Sequence, residues 1–145
     1  MSNSQPLIYA VDDDTSVVKA LGRLLRACGM RVRAFESGEG LLSALRKSSD
    51  ADCAIIDVKM PGMNGLEVQA HMNHLGIGVP IIFITAHEEE GVEEQALQAG
   101  AIGFLRKPFT DEALMALIGE ALDRPCPSRS KTGRGEKAQA KEEKT

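Results

Sequence analysis

Five short apolar runs, each followed by a segment with helical spacing, constrain this chain more than any other feature. The runs are "LIYAV" (7–11), "RVRAF" (31–35), "CAIID" (53–57), "PIIFIT" (80–85) and "IGFLR" (102–106). Their length and branched content suit strands rather than helices. Between them, Val17, Val18, Leu21, Leu24, Leu25 and Cys28 recur at helical intervals until Gly29. Ser37 is placed to cap a helix carrying Leu41, Leu42 and Leu45. Asn64 and Glu67 stand at capping-box spacing before Val68, Met72 and Leu75. Val92, Ala96 and Ala99 precede Gly100, and Leu114, Leu117, Ile118, Ala121 and Leu122 follow Pro108.

Strict alternation of strand and helix predicts an α/β fold with helices on both faces of a parallel sheet. Right-handed crossovers leave few topologies. The expected fold is one flavodoxin-like (βα)5 doubly wound domain with a five-stranded parallel sheet of order 2-1-3-4-5. No repeat of solenoid period interrupts it.

The 145 residues suit one domain with a real core. Residues 1–6 read as an N-terminal extension, 7–123 as the folded domain and 124–145 as a tail. The tail holds seven Lys or Arg against three Glu and no aliphatic residue larger than Ala. It cannot bury enough surface to offset its ordering entropy, so disorder is expected there. No apolar stretch approaches the ~18 residues of a membrane helix and no signal peptide opens the chain, which predicts a cytoplasmic protein with no membrane partner. Cys28, Cys53 and Cys126 are too scattered for a disulfide framework or a zinc site. Cys28 and Cys53 fall in apolar patterns and read as core; Cys126 reads as exposed.

In doubly wound sheets ligands bind beyond the carboxyl ends of the strands. Here the first strand ends in Asp12 and Asp13, the third in Asp57, the fourth in Thr85 and the fifth in Lys107 before Pro108. Adjacent ionised Asp residues repel and are rarely buried unpaired. Singly, each residue reads as a helix cap, a turn or a strand end. Together on one sheet edge, the acids read as a cation site, with Asp14 capping the first helix. His71 and His74 share a helix face without a third ligand and read as exposed. "EEE" (88–90) reads as a solvated helix start.

"VDDD" (11–14), "IIDVKMPGMNG" (55–65), "ITA" (84–86) and "FLRKPF" (104–109) resemble the receiver domain of bacterial two-component response regulators, the CheY-like superfamily. The likeness covers residues 7 to about 123 and is strongest to receivers of the nitrogen-fixation-regulator type. The resemblance implies that Asp57 accepts a phosphoryl group from a sensor histidine kinase or histidine phosphotransfer protein. It implies Mg2+, replaceable by Mn2+, held by Asp13, Asp57 and the Lys59 carbonyl, with Asp12 orienting a bound water. Lys107 and Thr85 would contact the phosphoryl oxygens. Thr85 and Phe104 would form the switch, with Phe104 turning inward from an exposed rotamer, and Lys59, Ala86 and His87 would tune access and hydrolysis. The face of the fourth helix, fifth strand and fifth helix would meet an output partner or a second copy. Such a protein is a signalling receiver that catalyses its own phosphorylation and dephosphorylation, not a conventional enzyme.

Rival readings fit less well. A haloacid-dehalogenase phosphatase also opens with Asp-x-Asp, but Ser16 stands where its motif has Thr or Val, and the expected fold leaves no room for a cap or that family's downstream acidic pair. A calcium loop would need Gly where Val17 stands. A pseudo-receiver, folded but not phosphorylated and serving as an interaction module, is the remaining alternative, against which the complete set Asp13, Asp57, Thr85 and Lys107 argues. The tail lacks aromatic residues and a reading helix, so direct DNA binding is not expected; no output domain is read after residue 123.

Overall fold

The computed structural model describes residues 5–48, 50–86 and 89–123. The expectations for the tail, Cys126 and His87 fall outside the described residues. Each apolar run forms a strand and each helically spaced segment a helix: β1 (Leu7–Val11), α1 (Thr15–Ala27), β2 (Arg31–Phe35), α2 (Gly38–Lys47), β3 (Cys53–Asp57), α3 (Gly65–Leu75), β4 (Ile81–Thr85), α4 (Val92–Gln98), β5 (Gly103–Arg106) and α5 (Asp111–Asp123). The strands pair in parallel in the order β2-β1-β3-β4-β5, as the alternation predicts. β4 starts one residue after Pro80, which has no N–H for the ladder, although its carbonyl accepts from Ala54 N at 2.9 Å.

Strand side chains alternate between two cores. Tyr9, Val11, Ala54, Ile56 and Phe83 face α2, α3 and α4, meeting Leu41, Leu45, Val68, Met72 and Ala96. Ile8, Ala10, Ile55, Ile82 and Ile84 face α1 and α5, meeting Leu21, Leu25, Leu114 and Ile118. β3 and β4 are buried throughout. At the open edge, β2 is largely exposed, and the Arg33 guanidinium lies 5.8 Å from the Tyr9 ring centre and 5.1 Å from that of Phe35.

The caps follow the sequence. Asp14 accepts from Ser16 N at the start of α1, Ser37 accepts from Gly40 N, and Asn64 and Glu67 complete a reciprocal capping box. Two expectations are corrected. Cys28 is exposed because it is the C-cap of α1, where the helical spacing no longer selects an inward face; Cys53 is buried, which pushes its thiol up to about 12. The acidic run does not open α4: Glu89 and Glu90 precede Gly91, the N-cap, whose left-handed φ of +84° separates them from the helix.

Candidate functional site

β1 and β3 are neighbours in register, so their ends deliver Asp12, Asp13 and Asp57 to one place. Carboxylate oxygens of the three lie within 4.8 Å of one another. Asp12 and Asp57 are 0% and 4% exposed, while Asp13 faces solvent. Asp12 accepts from Asp14 N through Oδ1 at 2.9 Å and from Lys107 Nζ through Oδ2 at 2.7 Å. Lys107 Nζ is 3.8 Å from Asp57 Oδ1. These groups, with Lys59, Met60 and Ala86, line an open pocket of about 460 Å³.

The electrostatics follow from this placement. Burial, then the neighbouring Asp12 charge, push the Asp57 carboxyl up to about 7, against the pull of the Lys107 ammonium. Asp14, fully exposed, is held below the usual carboxylate range by the Ser16 hydroxyl and amide. Gly65 shapes the wall behind Asp57: a Cβ there would lie 2.6 Å from the Asp57 carbonyl oxygen and 3.0 Å from the Phe83 ring. Only glycine lets α3 begin so close to the strand.

A crowded, partly dehydrated set of carboxylates has all-oxygen donors and excess negative charge. That fits a hard divalent cation such as Mg2+ or Mn2+.

The sequence matches the family described as response regulator receiver domain over residues 8–119. The chain belongs to the response regulator receiver family. Among its relatives, the response regulator protein TmoT of Ectopseudomonas mendocina is 42% identical over 122 residues, covering 84% of this chain and 55% of TmoT. The transcriptional regulatory protein FixJ of Bradyrhizobium diazoefficiens is 35% identical over 121 residues, covering 83% of this chain and 58% of FixJ. The crystal structure of FixJ-N superimposes with a TM-score of 0.77 at 30% identity, covering 84% of this chain and 97% of that one. The receiver thus spans little more than half the length of these curated relatives.

Receivers are signalling domains of two-component systems and interact with histidine kinases. In this receiver no described helix is long and apolar enough to cross a membrane. Thr85, 1% exposed, ends β4 next to Ala86, which lines the pocket. Phe104 is half-buried against Phe83, ring centres 6.4 Å apart, with the Arg106 guanidinium 5.9 Å from its own ring centre. The expected exposed rotamer is therefore corrected: the apolar layer behind β4 already holds the ring. His71 and His74 are exposed.

Three contacts of this receiver have no signature in the sequence. Lys59 Nζ pairs with Glu89 at 2.6 Å across the pocket rim, and Arg106 pairs with Glu93 at 3.2 Å. Gln69 is buried and bonded to α4. The only local hint is Gln69 itself, a polar residue beside Val68 and near Met72 on the inward side of α3.

Proposed function

We propose that this domain receives a phosphoryl group on Asp57 from the phosphohistidine of a sensor kinase or phosphotransfer protein and relays the change through the α4–β5–α5 face. The observation that carries this reading is a nearly buried carboxylate at the end of the central strand β3, grouped with Asp12 and Asp13 and approached by Lys107. An Asp57 oxygen attacks phosphorus; the P–N bond breaks, and its electron pair returns to the imidazole nitrogen, which takes up a proton. Lys107, already at the rim, offers a fixed ammonium to a phosphoryl oxygen, and Ala86 leaves room for the group to enter.

Asp13, Asp57 and the Lys59 carbonyl would hold Mg2+, with Asp12 oriented toward a bound water; when bound, the ion supplies neutralising charge for the phosphoryl oxygens. Thr85, moving toward the new group, and Phe104, turning further inward, would carry the switch. Lys59, Ala86 and His87 would set access and hydrolysis. The receiving face would engage an output module or a second copy. Residues 7–123 constitute this unit in our reading, with the basic segment 124–145 outside it. It would act in the cytoplasm, where kinases draw on ATP.

Acetyl phosphate with Mg2+ is expected to add one hydroxylamine-labile phosphoryl group to the protein, read by intact mass. Asp57→Asn should remove it. Equal labelling of the Asn variant would overturn the assignment.

A further inference from the structure

The two ends of α4 are held in different ways. At its C-terminal end, α3 reaches across: Gln69 Nε2 donates to the Ala96 carbonyl at 3.0 Å, and Asn73 Nδ2 donates to the Ala99 carbonyl at 3.0 Å. The two amides are four residues apart and so share a face of α3. Carbonyls in the last turn of a helix have no partner within it, so α3 caps α4 from outside. Gln69 is 3% exposed, and its burial is compensated by that bond. Ala96 also accepts from Ala101 N at 3.0 Å, and it is the buried residue of α4. The N-terminal end is different. Gly91, left-handed, is its N-cap and supplies no side-chain acceptor. The first turn carries Glu93, whose tie to Arg106 is exposed, and Val92, which packs only half-buried against the core.

We propose that Gln69 and Asn73 make Ala96 a pivot, so that α4 moves by swinging its Val92–Gln95 end while the Ala96–Ala99 end stays docked on α3. Val92 is four residues from the pivot, a lever of about 6 Å at 1.5 Å per residue. An exposed ion pair breaks and re-forms at little cost, and the half-buried Val92 can slide on the apolar layer, so this end is held less firmly than the docked one. The trigger for this motion rests on the function proposed above; the pivot itself does not.

The pivot is read first in the resting protein, by amide hydrogen exchange. Gln95 N, bonded to the Gly91 carbonyl in the first turn, is expected to exchange at least tenfold faster than Ala101 N, bonded to Ala96. Gln69→Leu should cut protection at Ala99 and Ala101 roughly five- to tenfold, the loss of one such bond, with β1 and β3 unchanged. Asn73→Ala, at an exposed position, should do the same more weakly and serves if Gln69→Leu does not fold. Equal protection along wild-type α4, or no response to either variant, overturns the pivot. Beryllofluoride with Mg2+ should then move the amides of Val92–Gln95 while the Gln69 side-chain NH2 resonances stay in place. Loss of the Gln69 bond in that state also overturns it. No response at Ala86 would instead overturn the phosphoacceptor reading, and the resting-state gradient alone then decides the pivot.

Discussion

Lys107 in this structure belongs to Asp12 rather than to Asp57: its ammonium is 2.7 Å from an Asp12 oxygen and 3.8 Å from Asp57. One cation thus compensates a fully buried carboxylate and remains within a short side-chain movement of the nearly buried one beside it. Removing one partner of a buried pair leaves the other charge uncompensated. Lys107→Met is expected to lower stability by about 3 kcal/mol in urea titrations without metal. The same variant should bind Mg2+ more tightly, because a competing positive charge is gone. Isothermal titration checks this, and weaker Mg2+ binding would contradict it.

The raised Asp57 carboxyl makes stability depend on pH. The folded protein holds a proton there up to about pH 7, whereas an unfolded chain releases it near 4. The stabilising contribution is complete below about pH 4 and is lost as pH rises through about 7. Asp57→Asn should therefore be more stable than the wild type by roughly 1–4 kcal/mol at pH 8, with the gap closing towards pH 4. Saturating Mg2+ should narrow the gap at pH 8 by stabilising the wild type alone. Urea midpoints from pH 4 to pH 8, with and without Mg2+, provide the test.

Thr85 is buried and does not line the pocket, so under the proposed mechanism it meets the phosphoryl group by moving towards it. A hydrogen bond to a charged group contributes ~1.5–3 kcal/mol, enough to shift two populations roughly ten- to a hundredfold. Thr85→Ala should still take up one phosphoryl group but lose the change in the Phe104 ring. NMR of that ring with beryllofluoride in both proteins decides the matter; identical spectral changes would rule out Thr85 as the coupling residue.

Gly65→Ala should damage both stability and the site. Its Cβ would meet the Asp57 carbonyl at 2.6 Å, and neither a strand backbone nor the start of α3 can yield cheaply. Overpacking of this kind costs roughly 1–3 kcal/mol. Shifting the end of β3 also displaces Asp57, the proposed phosphoacceptor, so phosphorylation by acetyl phosphate should slow by more than tenfold in the folded fraction.

What was legible in the sequence was what is local. Strands, helices, the Asp14 cap and the Asn64–Glu67 box are set by residues within a few positions of one another, and their order restricts the topology. The cluster of Asp12, Asp13, Asp57 and Lys107 followed because topology alone brings strand ends together. The Lys59–Glu89 pair, the Lys107 preference for Asp12 and the clamp of Gln69 and Asn73 on α4 depend on side-chain rotamers across distant segments, and no periodicity records those. Cys28, Glu89 and Glu90 depart from the sequence pattern for a related reason: spacing continues past the point where a C-cap ends one helix and a left-handed glycine delays the other.

The arginines on the outer strands bear on how copies of this protein avoid one another. β2 and β5 close the sheet on either side with one row of ladder groups left unpaired by any other strand of that sheet. Such rows are templates for indiscriminate pairing between molecules, the first step towards aggregates. β2 presents Arg31 and Arg33 there, the second spread over the Tyr9 and Phe35 rings, and β5 presents Arg106. Two β2 edges brought together would crowd like charges from Arg31 and Arg33. Charge on the border strands thus disfavours growth of the sheet across molecules in a crowded solution.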